Sequence, residues 1–192
     1  MTSRALRDWL FRALAAEDAV DRLEADGLSV REASDSRAIQ RVLPIDDFSP
    51  EIRRAAMANL PAYLAFFCIE NSVRELINER MTDVHGPDWW DTKASSALRK
   101  KVEQRRDREG TERWHVARGE HPIYYTDFGD LKSLLTSNSA DFEDTFPDQN
   151  WVLSRIGDLE LSRNIIAHSN ALDRRELGRV RLYLEDWTRQ VG

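Results

Sequence analysis

Residues 151–168 read WVLSRIGDLELSRNIIAH, and this stretch decides the fold. At 100° per residue, Val152, Ile156, Leu159, Arg163 and Ile166 fall on one stripe. Four of the five are apolar, so the spacing predicts a helix over about 149–167, opened by Pro147-Asp148. Arg163 then points along the core-facing side. A guanidinium is seldom buried unless paired, so this position calls for a carboxylate, carbonyl groups or a bound anion. A second stripe, Leu161, Ile165 and His168, lies opposite, with Asn164 one turn before His168. One apolar side can face a bundle and the other a second subunit. Arg163 and His168, five residues apart, diverge by about 140° on an ideal helix. They reach one ligand if the helix ends near Ala167, where Ser169-Asn170 favours a turn, or if they come from different subunits.

Working outward, the chain reads as helices. Leu6, Trp9, Leu10, Ala13, Leu14, Ala16 and Val20 recur at helical spacing over 4–26, with Gly27 as a stop. Residues 28–48 form an extension or linker. Its pieces 28–30 and 39–45 have the apolar content of short strands, interrupted by Pro44 and two aspartates. Ser49-Pro50-Glu51 is a helix start, and Pro61 requires a kink or a restart. From Ala62 to Met81 the pattern is that of a core helix, in which Cys68 reads as a small buried apolar residue. His85-Gly86-Pro87-Asp88 is a break. Trp89-Trp90 and a polar helix over about 93–109 follow. Residues 110–128 read as loop with one short extended piece, 131–137 as a short helix, and 141–146 as a turn. The last helix covers 173–190, with Asp173 and Glu176 spaced as a capping box. The expectation is an all-α antiparallel bundle of four to five main helices, with 1–48 as an N-terminal extension and 49–192 as the helical domain.

The 192 residues are 41% hydrophobic and 32% charged, enough for a real core under a well-solvated surface. The net charge of −6 argues against a protein that coats nucleic acid, which is usually basic. It is compatible with an enzyme that meets RNA at one pocket. One cysteine allows no disulfide within the chain. The first residues have no apolar signal region, and no run approaches a membrane span, so the expected location is the cytoplasm.

Arg163-Asn164-Ile165-Ile166-Ala167-His168 resembles the Arg-x4-His signature of the HEPN superfamily in its Arg-Asn-x-x-x-His form. The setting is similar: a long helix leads into the motif, a short link follows, and a last helix closes the domain. Residues 66–76, with Glu70 and Arg74, resemble an early HEPN core helix bearing an acid, and 124–131 resemble the start of the third helix in a toxin-like branch. The likeness spans roughly 50–190. It implies a homodimer in which two Arg-His pairs converge on one cleft, acting as a metal-independent endoribonuclease without cofactor. Arginine can hold a scissile phosphate by paired hydrogen bonds. Imidazole, which titrates near pH 6.5, can take the 2′-hydroxyl proton or supply one to the leaving 5′-oxygen. Asn164 would orient the imidazole or bind a phosphate oxygen. The resemblance also implies a toxin or anti-phage effector, with an antitoxin or other operon-encoded partner. A branch regulated by adenylylation carries tyrosine where this chain has Asn170, which puts that control in doubt here. Non-catalytic family members that bind nucleotide or partners supply the rival reading.

Other candidates are plainer. Glu70 and Arg74 are spaced for an intrahelical pair and could orient Arg163. Arg99, Lys100, Lys101, Arg105 and Arg106 could track an RNA backbone or simply form a solvated helix face. Trp89, Trp90 and Trp114 could stack bases, although tryptophan usually packs in cores. His85, His115 and His121 lack metal-site spacing, and no phosphate-binding glycine loop is present.

Overall fold

The computed structural model describes residues 3–26, 37–39, 41–111, 116 and 118–191, and these contain no β-strand. The chain divides into two units, Met1–Met57 and Ala58–Gly192. The first holds α1 (Ser3–Ala25) and all but the end of α2 (Pro50–Ala58). α2 begins where the sequence places it, with the Ile52 N–H donating to Ser49 Oγ at 3.4 Å. No residue of α2 is buried, and Trp9, Phe11 and Leu14 of α1 are exposed. Gly27 and the apolar piece at 28–30 lie outside the described residues. The described residues of the piece at 39–45, 39 and 41–45, are not strand. The Leu43 N–H donates to the Ile39 carbonyl at 2.9 Å, a helical bond.

The second unit is a helical bundle: α3 (Leu60–His85), α4 (Trp89–Lys93), α5 (Ser96–Gly110), α6 (Phe128–Ser137), α7 (Gln149–Ala167) and α8 (Arg174–Val191), with 3₁₀ turns at Pro122–Tyr125 and Ser139–Phe142. At Pro61 the chain restarts, with the proline in the first turn of α3, where its missing N–H costs nothing. α3 is the central helix and packs against α6, α7 and α8. Phe66, Ile69, Val73, Ile77 and Met81 turn inward and are buried. Each such burial contributes about 1.5–3 kcal/mol. The six-residue apolar run around Cys68 holds more apolar side chains than one helix face can bury. Leu64 and Phe67 are therefore exposed, and Cys68, expected inside, is exposed too.

α3 stops at Gly86, whose φ of 82° suits glycine. Trp89 is fully buried, Trp90 nearly so, and the Trp89 indole donates to Asn78 Oδ1 at 3.1 Å. Both are core residues and have no face free for a base; Trp114 lies outside the described residues. α6 begins three residues before its expected start. Asp127 and Asp130 form a reciprocal capping box there, each accepting the other's backbone N–H. The extended piece expected before it is instead the 3₁₀ turn at Pro122–Tyr125, started by the His121 ring accepting the Ile123 N–H. At α8, Asp173 accepts the Glu176 N–H at 2.8 Å. The Glu176 carboxylate turns away to accept from Ser162 Oγ at 3.1 Å, so only half of the expected box forms. Among the described residues, no helix is long and apolar enough to cross a membrane.

Candidate active site

The expected inward stripe of α7 is realised. Val152, Ile156 and Leu159 are buried, and Arg163 emerges from the end of that stripe, 38% exposed. α7 spans Gln149–Ala167, as its sequence predicts. Asp148 caps its start, accepting the Trp151 N–H at 3.1 Å. Its end is a Schellman motif. The Ser169 N–H donates to the Ile166 carbonyl at 2.9 Å and the Asn170 N–H to the Ile165 carbonyl at 3.0 Å. Ser169 takes the left-handed position, φ 59°, usually held by glycine. His168 is the capping residue, and its carbonyl accepts from Asn170 Nδ2 at 2.9 Å.

Arg163 opens into a cleft of about 730 Å³ between α3, α7, Arg105 of α5 and the chain before α6. Glu70 and Arg74 stand on its α3 wall. Glu70 is paired with Arg74 Nη2 and lies 3.8 Å from Arg163 Nε. Arg74 also donates to the Thr126 carbonyl at 2.7 Å and to Asn71 Oδ1 at 3.0 Å. Burial pulls the Arg74 guanidinium below its ordinary pKa, against the raising effect of Glu70 and with help from the positive charges of Arg118 and Arg163. Every Arg74 contact is thus internal. Arg163 differs: it makes no hydrogen bond to the described residues, and its donors remain available.

The cleft is lined by four arginines, Arg74, Arg105, Arg118 and Arg163, against two carboxylates, Glu70 and Asp127. Three of the four arginines are matched by carboxylates: Arg74 by Glu70, Arg105 by Asp127 and Asp130, and Arg118 by Glu109 at 2.5 Å. Arg163 keeps its hydrogen-bond donors free in this cleft, and a guanidinium so placed can hold an anion by paired hydrogen bonds. Arg105 is held in a fixed position. It donates to the Tyr125 carbonyl at 2.6 Å, and to Asp130 and Asp127 at 2.7 Å each. The two carboxylates raise its pKa against the lowering effect of burial.

Of the three motif residues, only Arg163 lines this cleft. Asn164 and His168 are exposed beside it, at the end of α7. The basic run on α5 is divided. Lys101 pairs with Asp130 at 2.7 Å, and Arg105 is held as above. Arg99, Lys100 and Arg106 border a separate open depression next to Trp90 and Glu103. His85 pairs with Asp141 at 2.8 Å. His121 stacks on Trp89 at 5.5 Å, and its pKa is lowered by burial and by Arg106. His115 lies outside the described residues. Sequence reading did not reach Arg118, Tyr63 or Phe67 as cleft residues. Arg118 has no helical periodicity around it, and the two aromatics sit in a run that reads as core.

No curated protein and no solved structure matches the chain. A family model described as Swt1-like HEPN matches residues 64–192. That span holds α4 through α8, nearly all of α3, and every cleft residue except Tyr63. The chain therefore belongs to the Swt1-like HEPN family.

Proposed function

We propose that this protein is a metal-independent endoribonuclease that cuts RNA by attack of a 2′-hydroxyl, working as a homodimer with the active site at the dimer cleft. The observation that carries this reading is Arg163: a half-buried guanidinium opening into a cleft, with no hydrogen bond to the described residues. Arg163 binds the scissile phosphate and stabilises its growing charge. His168 takes the proton from the 2′-hydroxyl as that oxygen attacks phosphorus. His168 of the partner subunit gives a proton to the leaving 5′-oxygen. Asn164, on the same helix end, orients the imidazole. The products carry 2′,3′-cyclic phosphate and 5′-hydroxyl ends.

The dimer is part of this proposal because His168 lies outside the cleft that holds Arg163 in one chain. The exposed Leu161 on the same helix favours a covering surface as well. Glu70 and Arg74 are positioning residues. Family membership supports RNA as the substrate, and the setting that completes this proposal is a cytoplasmic toxin or anti-phage effector with an operon-encoded antitoxin.

The test is an RNA cleavage assay in EDTA with intact protein, His168→Ala and Arg163→Ala, followed by end-group analysis. Cleavage by intact protein alone, leaving cyclic-phosphate ends, is the expected result. No cleavage by any of the three, from a protein that sediments as a monomer, would reassign the cleft to nucleotide or partner binding.

A further inference from the structure

Two aromatic side chains stand in the open beside the arginines. Tyr63 and Phe67, one turn apart on α3, have ring centroids 6.2 Å apart and an interplanar angle of 35°. They are 56% and 58% exposed, and both line the same cleft as Arg163. A single exposed aromatic needs no explanation. A contacting pair on the wall of the cleft that holds Arg163 does, because water wets both rings at a cost.

We propose that Tyr63 and Phe67 form a stacking platform for an unpaired base next to the phosphate held by Arg163, so that the substrate is RNA single-stranded at the cut. This rests on the ribonuclease reading of the site and adds the class of RNA it accepts. The charge pattern selects the occupant. An apolar protein surface laid over this pair would also cover Arg163, whose donors are unbonded, and it would have to bring its own anion. A nucleotide brings both parts at the required spacing, a flat base for the rings and a phosphate for the guanidinium. Aromatic platforms beside basic grooves bind single strands with little sequence preference, since every base has a π-face. A base inside an A-form duplex has no free face to offer.

The experiment uses the full chain in a His168→Ala background, so that RNA is bound and not cut. The probe is a single-stranded hexaribonucleotide carrying one 2-aminopurine, whose fluorescence is quenched when it stacks. The double variant Tyr63→Leu with Phe67→Leu keeps apolar side chains at exposed positions, and circular dichroism checks its fold. Quenching by the parent and its loss in the double variant are expected, with about tenfold weaker binding and an unchanged salt dependence. The same sequence as a duplex should bind no better to the parent than to the double variant. Equal binding and quenching by parent and double variant would overturn the platform while leaving the cleavage result untouched. Conversion of a dimer to a monomer by the double variant in sedimentation velocity, with RNA affinity retained, would assign the pair to a subunit interface and likewise overturn it. Absence of any RNA binding by the parent would overturn the platform and the ribonuclease reading together.

Discussion

Glu70 Oε2 lies 3.8 Å from Arg163 Nε, inside ion-pair range and outside hydrogen-bond range. The same carboxylate is bonded tightly to Arg74, whose side chain is only 11% exposed. Glu70 thus neutralises a buried arginine and attracts a half-exposed one without consuming its donors. Arg163 is held by charge and left free to bond.

Glu70→Gln should therefore damage both stability and activity. The amide can still accept from Arg74, but it leaves two neighbouring cations without their shared counter-charge. The expected loss is about 2 kcal/mol in urea unfolding. RNA cleavage should fall with it under conditions where the variant remains folded. Unchanged stability would mean that Arg74 draws its support from the Thr126 carbonyl and Asn71 alone.

Arg163→Lys separates a structural role from a chemical one. Lysine keeps the charge opposite Glu70, so unfolding stability should change by less than about 1 kcal/mol at a site this exposed. It lacks the planar fork that grips two phosphate oxygens. Cleavage should drop about a hundredfold, in line with the loss of one preorganised donor to a developing charge. A lysine variant as active as the parent would show that the site needs only a positive charge.

Ser169 is the one described non-glycine residue with a positive φ, and it follows His168 directly. The left-handed conformation costs an L-residue about 1–2 kcal/mol, part of which glycine returns as unfolded-chain entropy. Ser169→Gly should stabilise the protein by about 0.5–1 kcal/mol, with cleavage retained. Ser169→Val should lower the melting temperature and weaken cleavage, because a β-branched residue resists this turn and loosens the link that fixes His168.

Both ends of α7 were legible because their determinants are local. Asp148 caps the start, and Ser169-Asn170 closes the end within two residues of the last helical position. The inward stripe and Arg163's place on it follow from the 3.6-residue period. The 3₁₀ turn at Pro122–Tyr125 was not legible. Ile123-Tyr124-Tyr125-Thr126 has strand-like composition, and the His121 ring and Pro122 override it. Cys68 was misplaced because helical phase, not hydrophobicity, decides which residues of a continuous apolar run stay outside. The cleft was only partly legible. Glu70, Arg74 and Arg163 announce themselves by spacing. Arg118, Thr126 and the Tyr63–Phe67 pair join them through contacts between segments distant in sequence, which no local pattern encodes.

Asp127 ties this cleft to acid stability. Burial disfavours its charge, but the Asp130 backbone N–H, the Arg105 guanidinium and Lys101 more than compensate and bring its pKa from 3.8 down to about 2. The folded-state value lies below the unfolded one. The carboxylate therefore contributes its full stabilisation above pH 3.8, and loses it as pH falls toward 2. Its side chain is 35% exposed, so solvent screening reduces the contribution to about 1 kcal/mol. Asp127→Asn keeps an oxygen that can cap α6 but removes the ion pair with Arg105. At neutral pH the variant should be less stable by about that amount. The gap between variant and parent should close in urea titrations taken stepwise from pH 4 to pH 2. A gap that stays constant over this range would show that the charge of Asp127 does not stabilise the fold, and that Arg105 is held at the cleft by Asp130 and the Tyr125 carbonyl.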